Sequence, residues 1–149
     1  MLDRQIEICP DEIWGLTAGG FLFWQQVFHA LTGALFWTRP HDREFVEPYN
    51  HRKLFPELDG VPEGALSKAE SSELSAEVRA QITGLLADRT DAWLNQPSWI
   101  YDKVLNFDVL VGQIRHLQYH VGHCNSILRE NNAPAAEWLD YLGDEDITP

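Results

Sequence analysis

The chain has 149 residues, 44% of them hydrophobic and 11% aromatic, and a formal charge of −12. That is length and apolar material enough for a single domain, residues 1–149, with its own core, and it excludes a disordered chain. The charge excludes nucleic acid and anionic membrane as partners, since both would repel such a surface.

Residues 1–15, MLDRQIEICPDEIWG, have room for one short helix within an N-terminal segment 1–18, with Leu2, Ile6 and Cys9 turned inward. Pro10 ends that helix or opens a new turn with Asp11 and Glu12 at its front. Residues 1–20 do not combine a basic start with an apolar run, so no secretory leader is expected. Cys9 and Cys124 are too few for a disulfide scaffold, and a cytoplasmic location follows as the expectation. Thr17-Ala18-Gly19-Gly20 reads as a break. Phe21 to Trp37, FLFWQQVFHALTGALFW, is apolar nearly all round and too long for a buried strand, which predicts a central helix. Gln25, Gln26, His29 and Thr32 interrupt it and argue against a membrane span. Gly33 leaves room one turn after His29. Taken alone, His29 reads as a core histidine bonded to a neighbour.

Thr38 to Leu66 carries Pro40, Pro48, Pro56 and Pro62 with Gly60 and Gly64, and shows no helical period. It is expected to be a long ordered crossover with one short helical turn, and crossovers of that length are often functional. His41, Tyr49, His51 and Arg52 lie on it, read as surface residues first and pocket residues second. Ser67-Lys68-Ala69-Glu70 fits a capping box and starts the next helix. Leu74, Val78, Ile82, Leu85, Leu86 and Trp93 form its inward stripe, ending before Pro97, while Glu70, Glu73 and Glu77 read as its solvated face.

Leu105 to Glu130, LNFDVLVGQIRHLQYHVGHCNSILRE, has no proline and places Phe107, Leu110, Val111, Ile114, Leu117, Val121, Ile127 and Leu128 at helical spacing. Asn106 or Asp108 would cap its start, and Asn131-Asn132 would stop it. His116, His120 and His123 share one face of this helix, about one turn apart. Two neutral imidazoles at i, i+4 can hold one divalent ion, because their ring nitrogens converge without distorting the backbone. In the tail 131–149, Trp138, Leu139, Tyr141 and Leu142 are expected to pack back, with Asp144, Glu145 and Asp146 solvated.

The layout predicts an all-α fold. A four-helix bundle with a short first helix and a long crossover between the second and third is the simplest way to bury three apolar stripes. His29 lies roughly 12 Å along its helix, and His116 and His120 roughly 15–21 Å along theirs, so all can meet near mid-height.

The histidine within WQQVFHALTGALFW, the LSKAE helix start and RHLQYHVGH on the last helix together resemble the DinB/YfiT-like superfamily, over roughly residues 20 to 130. The resemblance implies that four-helix bundle, and a metal site built from His29, His116 and His120. Zinc or nickel is the implied ion, with water completing its shell. It also implies thiol-dependent transfer or isomerisation of a small-molecule substrate with a low-molecular-weight thiol. The chain departs from the family in two ways: its first helix is shorter, which a homodimer or the tail would compensate, and His123 is extra, so that His120/His123 competes with the favoured His116/His120 as the ligand pair. His123 then becomes a pocket residue beside the ligands, or a proton carrier.

A three-histidine set with an open fourth position is the arrangement of a catalytic metal rather than a structural one. The expected activity is metal-assisted activation of water or a thiol toward a small electrophile. His123, His51 or Tyr49 would move protons, and Cys124 is expected to be a buried, inert thiol. The alternatives are a non-catalytic metal- or ligand-binding bundle in stress response, and a structural domain whose histidines are core residues.

Overall fold

In the computed structural model, which describes residues 1–40 and 43–138, the chain is mostly helical. In order it forms α1 (Leu2–Ile8), α2 (Asp11–Trp14), β1 (Thr17–Ala18), β2 (Phe21–Leu22), α3 (Phe23–Thr38), α4 (Lys68–Leu86), α5 (Asp91–Leu94) and α6 (Asn106–Glu130). The expectations for His41 and for residues 139–149 lie outside the described residues. No described helix is long and apolar enough to cross a membrane.

α3 is the centre, as its apolar composition requires. It packs against both α4 and α6, and α1 lies against α4 and α6 in turn. Phe23, Trp24, Val27, Phe28, Leu31 and Ala34 of α3 are buried with Ile6, Leu74, Val78, Cys124, Ile127 and Leu128 from the other helices. α3 starts two residues later than its pattern predicted. Gly19 and Gly20 adopt φ of +63° and +93°, a backbone that closes a two-residue hairpin turn and draws Phe21 and Leu22 into a strand.

α4 begins where expected. Ser67 accepts from the Glu70 amide, and the Glu70 carboxylate takes the Ser67 N–H at 2.8 Å. Glu70 is therefore more than solvated surface: it also pairs with Arg52 at 2.6 Å, and the Ser67 and Arg52 bonds hold its carboxyl below the usual range. The helix stops at Leu86 rather than running on to Trp93. Arg89 and Thr90, the next positions on its inward face, offer nothing apolar to bury, so no further turn is anchored. Trp93 sits instead on α5, stacked near Trp99 with ring centroids 5.3 Å apart.

Between Thr38 and Lys68 the described residues form turns but no helix. The crossover is nonetheless pinned. The Gln25 amide donates to the carbonyls of Leu54, Phe55 and Gly60 at 3.4, 3.0 and 3.3 Å. Trp14 Nε1 reaches the Leu66 carbonyl at 2.7 Å, and the Tyr49 hydroxyl donates to the Glu70 carbonyl at 3.3 Å.

At the start of α6 the Asp108 carboxylate accepts from Leu105 N–H at 2.9 Å. Asn106 is buried instead, donating to the Trp93 carbonyl. The helix ends at Asn131-Asn132 as expected: Asn132 takes φ +57°, and Ala133 N–H returns to the Leu128 carbonyl at 2.9 Å. One part of the expected stripe fails. Phe107 and Ile114 are 52% and 61% exposed. α1 has seven residues against 25 in α6, so it runs about 10 Å beside a helix of about 37 Å and leaves the far half of that face uncovered.

Candidate metal centre

His29 comes from the middle of α3, and His116 and His120 from the middle of α6. The fold brings these three together: one ring nitrogen from each lies within 4.8 Å of the others. Ring centroids are 5.0 Å apart for His29–His116, 4.6 Å for His29–His120 and 4.8 Å for His116–His120. Gly33 permits this approach, because a Cβ there would lie 2.6 Å from His116 Cε1.

Hydrogen bonds fix which nitrogens carry protons. His29 Nδ1 lies 2.6 Å from the Pro56 carbonyl oxygen, which only accepts, so Nδ1 is the protonated nitrogen and Nε2 keeps its lone pair. His120 Nδ1 lies 3.2 Å from Gln26 Oε1, with the same consequence. His116 Nε2 is 3.0 Å from His29 Nε2, and its Nδ1 is buried without a partner. If His116 donated its Nε2–H to His29, its Nδ1 would be left a buried acceptor with no donor. An ion that takes the Nε2 lone pairs of His29 and His116 would relieve their contact, and would leave His116 Nδ1 as a buried N–H donor, still without a partner.

The donor set therefore suits a borderline divalent cation such as zinc or nickel. A tetrahedral zinc site with Zn–N of about 2.0–2.1 Å has edges of about 3.4 Å. The 3.0 Å contact is near that length, and the set as a whole has to contract slightly around the ion.

Electrostatics agree. Burial, and then the charge of neighbouring His29, pushes His116 below the usual imidazole range. His120, 4% exposed, is pushed down to about 3, first by burial and then by His29, His116 and His123. Both rings are thus neutral at physiological pH, the state in which imidazole binds metal.

A cavity of ≈ 470 Å³ borders His29 and His116 but not the buried His120, so the three-histidine set is open on that side. Its walls are aromatic and apolar (Phe36, Trp37, Phe45, Pro56), with Thr32 and Gln113 between them and Glu57 at the exposed rim. Thr32 Oγ1 and Gln113 Oε1 are, like His116 Nδ1, buried without a partner. Of the four such side-chain atoms among the described residues, three belong to residues that border this cavity.

The remaining candidates lie elsewhere. His123 packs its ring on the hairpin turn, where a Cβ on Gly19 would be 2.4 Å from its Nε2, and it stands outside the three-histidine group. It borders a separate cavity with Tyr119 and Glu130, and the Tyr119 ring stands between it and His120, with centroids 6.4 and 5.0 Å away. His51 is exposed on the crossover, and the Tyr49 hydroxyl is taken up by the Glu70 carbonyl. Cys124 is fully buried, and burial pushes its thiol up to about 12.

Gln26, which bonds His120, and Gln25, which pins the crossover carrying Pro56, are residues around the cluster that the sequence pattern did not single out. Two adjacent amides in an otherwise apolar helix, three and four residues before its histidine, are the signal that could have found them. The Pro56 carbonyl has no such signal, since a backbone oxygen carries no side-chain identity. No family model matches this chain, and no curated protein or solved structure matches it either.

Proposed function

We propose that the chain is a metal-dependent enzyme resembling the DinB/YfiT-like superfamily, in which α1, α3, α4 and α6 are the four helices of a bundle with a short first member. His29, His116 and His120 hold one divalent ion, zinc or nickel, and the substrate is a small electrophile, with water or a low-molecular-weight thiol as the other reactant. The observation that carries this reading is the convergence of His29, His116 and His120 within 4.8 Å, with the Nδ1 atoms of His29 and His120 taken up by Pro56 and Gln26 so that their Nε2 atoms are left for an ion.

The ion, when bound, would supply Lewis acidity, lowering the pKa of a water or thiol that reaches it. The chain's own residues do the rest. Gln26 holds His120 directly, and Gln25 holds His29 indirectly, by tying down the crossover that presents the Pro56 carbonyl. The aromatic walls exclude water from the approach to His29 and His116. The open side of the donor set beside that cavity favours catalysis over the alternative of a non-catalytic metal-binding bundle in stress response. The charge of −12 keeps nucleic acid and anionic membrane out of the partner list, and a homodimer would cover the face of α6 that α1 leaves open.

The test is metal content by mass spectrometry on protein prepared without a histidine tag, beside four single variants. Near-stoichiometric metal in the wild type and in His123→Ala, lost in His29→Ala, His116→Ala and His120→Ala, is the expected result. Retention in His116→Ala with loss in His123→Ala would make His120 and His123, not His116 and His120, the ligand pair of α6. A wild type that takes up no metal even on reconstitution would end the enzyme reading.

A further inference from the structure

We propose that the chamber beside His29 and His116 receives a small molecule with an uncharged aromatic or branched apolar body and one electron-pair donor at its tip. This rests on the metal reading above, since the donor tip is what meets the ion. The chamber, ≈ 470 Å³, falls within the usual size of small-molecule sites, about 300–1,000 Å³. Its far wall is a continuous aromatic surface: Phe36 meets Trp37 and Phe45 edge to face, with centroids 5.2 and 5.1 Å apart and interplanar angles of 83° and 81°. Rings locked in this way present a rigid apolar wall that does not reorganise around a polar guest.

Charge decides what the body is. Among the described residues no lysine or arginine borders the chamber, so an anionic body would leave water with no counter-ion facing it. A cationic body fares no better, since among the described residues the one carboxylate bordering the chamber, Glu57, stands exposed at the rim. The polar demand is concentrated instead at the end formed by α3 and α6, where the histidines lie.

Gly112 sets the available space. It borders the chamber, and a Cβ built on it meets nothing within 4 Å. The backbone conformation there does not call for glycine, as its φ is not positive. A side chain at 112 would displace no protein atom, and because Gly112 borders the chamber it is the position at which added bulk probes the space for the body of the ligand.

The experiment loads the protein with cobalt(II) and follows the visible d–d bands during titration with imidazole and with 4-phenylimidazole. Both supply the same donor nitrogen, and only the second carries an aromatic body. Burial of the phenyl ring should make 4-phenylimidazole bind about tenfold tighter or more. Gly112→Leu should erase that difference by weakening 4-phenylimidazole more than imidazole. Equal affinities in the wild type would overturn the chamber assignment and leave the metal reading standing. Should cobalt not bind, the metal reading fails, and ligand-observed NMR with toluene on the metal-free protein then judges the chamber alone. Saturation transfer present in the wild type and lost in Gly112→Leu supports it, and no transfer in the wild type overturns it.

Discussion

The two halves of α6 differ in how firmly the domain holds them. From His120 onward the helix is knitted in: Val121, Cys124, Asn125, Ile127 and Leu128 are all buried. There Asn125 joins three segments. It accepts from the Gln5 amide at 2.8 Å, accepts from Ala136 N–H at 2.9 Å and donates to the Ala136 carbonyl at 2.9 Å. Before His116 the helix has Phe107 and Ile114 in solvent and borders two cavities, the aromatic chamber and an apolar groove of ≈ 420 Å³ toward α1. The histidines straddle this boundary, with His120 on the packed side and His116 on the open side. On the proposed reading, a metal held there would have one ligand locked by its surroundings and another next to accessible space, the combination that binding a substrate at a metal needs.

The sharpest way to break that contrast is to cut into the packed half. Leu128→Ala leaves a cavity at a fully buried position and should cost about 2–5 kcal/mol of folding stability, measured by denaturant unfolding. Asn125→Ala, which removes one of the two bonds of the Gln5 amide and both of its own bonds to the Ala136 backbone, should cost about 1–3 kcal/mol with metal stoichiometry unchanged. At the boundary, Gln26→Leu removes the acceptor that fixes His120. It should weaken zinc affinity by about 10–100-fold in a competition titration. In the open half, Ile114→Ser should shift stability by no more than about 0.5 kcal/mol. A large loss there would mean that this face is covered in solution.

Acid should also act through the packed side. His120 titrates at about 3 in the fold, against an ordinary value of 6.5. Between those values the unfolded chain takes up a proton that the folded chain refuses. Its contribution to stability is therefore complete above about pH 6.5 and is lost as pH falls toward 3. The melting temperature of metal-free protein should fall across that window, and His120→Gln should flatten the dependence.

Much of this was legible in the sequence because it rests on local chemistry. The Ser67–Glu70 box, the Asn131-Asn132 stop and the helical spacing of His116 and His120 each involve residues within a turn of one another. What could not be read is long-range. Glycine pairs such as Gly19-Gly20 can mark a loop or a hairpin, and only the φ angles of the folded turn make Phe21 and Leu22 a strand. Phe107 and Ile114 fit the apolar period of α6 perfectly well, yet their exposure depends on how far α1 reaches along it. The matching heights of His29 and the α6 pair along their helices let them meet, the family resemblance implies that they do, and the fold brings one nitrogen of each within 4.8 Å of the others. The bonds that orient it come from the Gln26 side chain and from a crossover carbonyl 27 residues beyond His29, which periodicity does not report.

The measurement closest to the central claim is the tautomeric state of each histidine by ¹⁵N-resolved NMR, recorded metal-free and after one equivalent of zinc. His29 and His120 are expected as Nδ1–H tautomers without metal. On adding zinc, the Nε2 resonances of His29, His116 and His120 should shift together while those of His123 stay in place. Nε2–H tautomers at His29 or His120, or a zinc response at His123 in place of His116, would contradict a site built from these three rings.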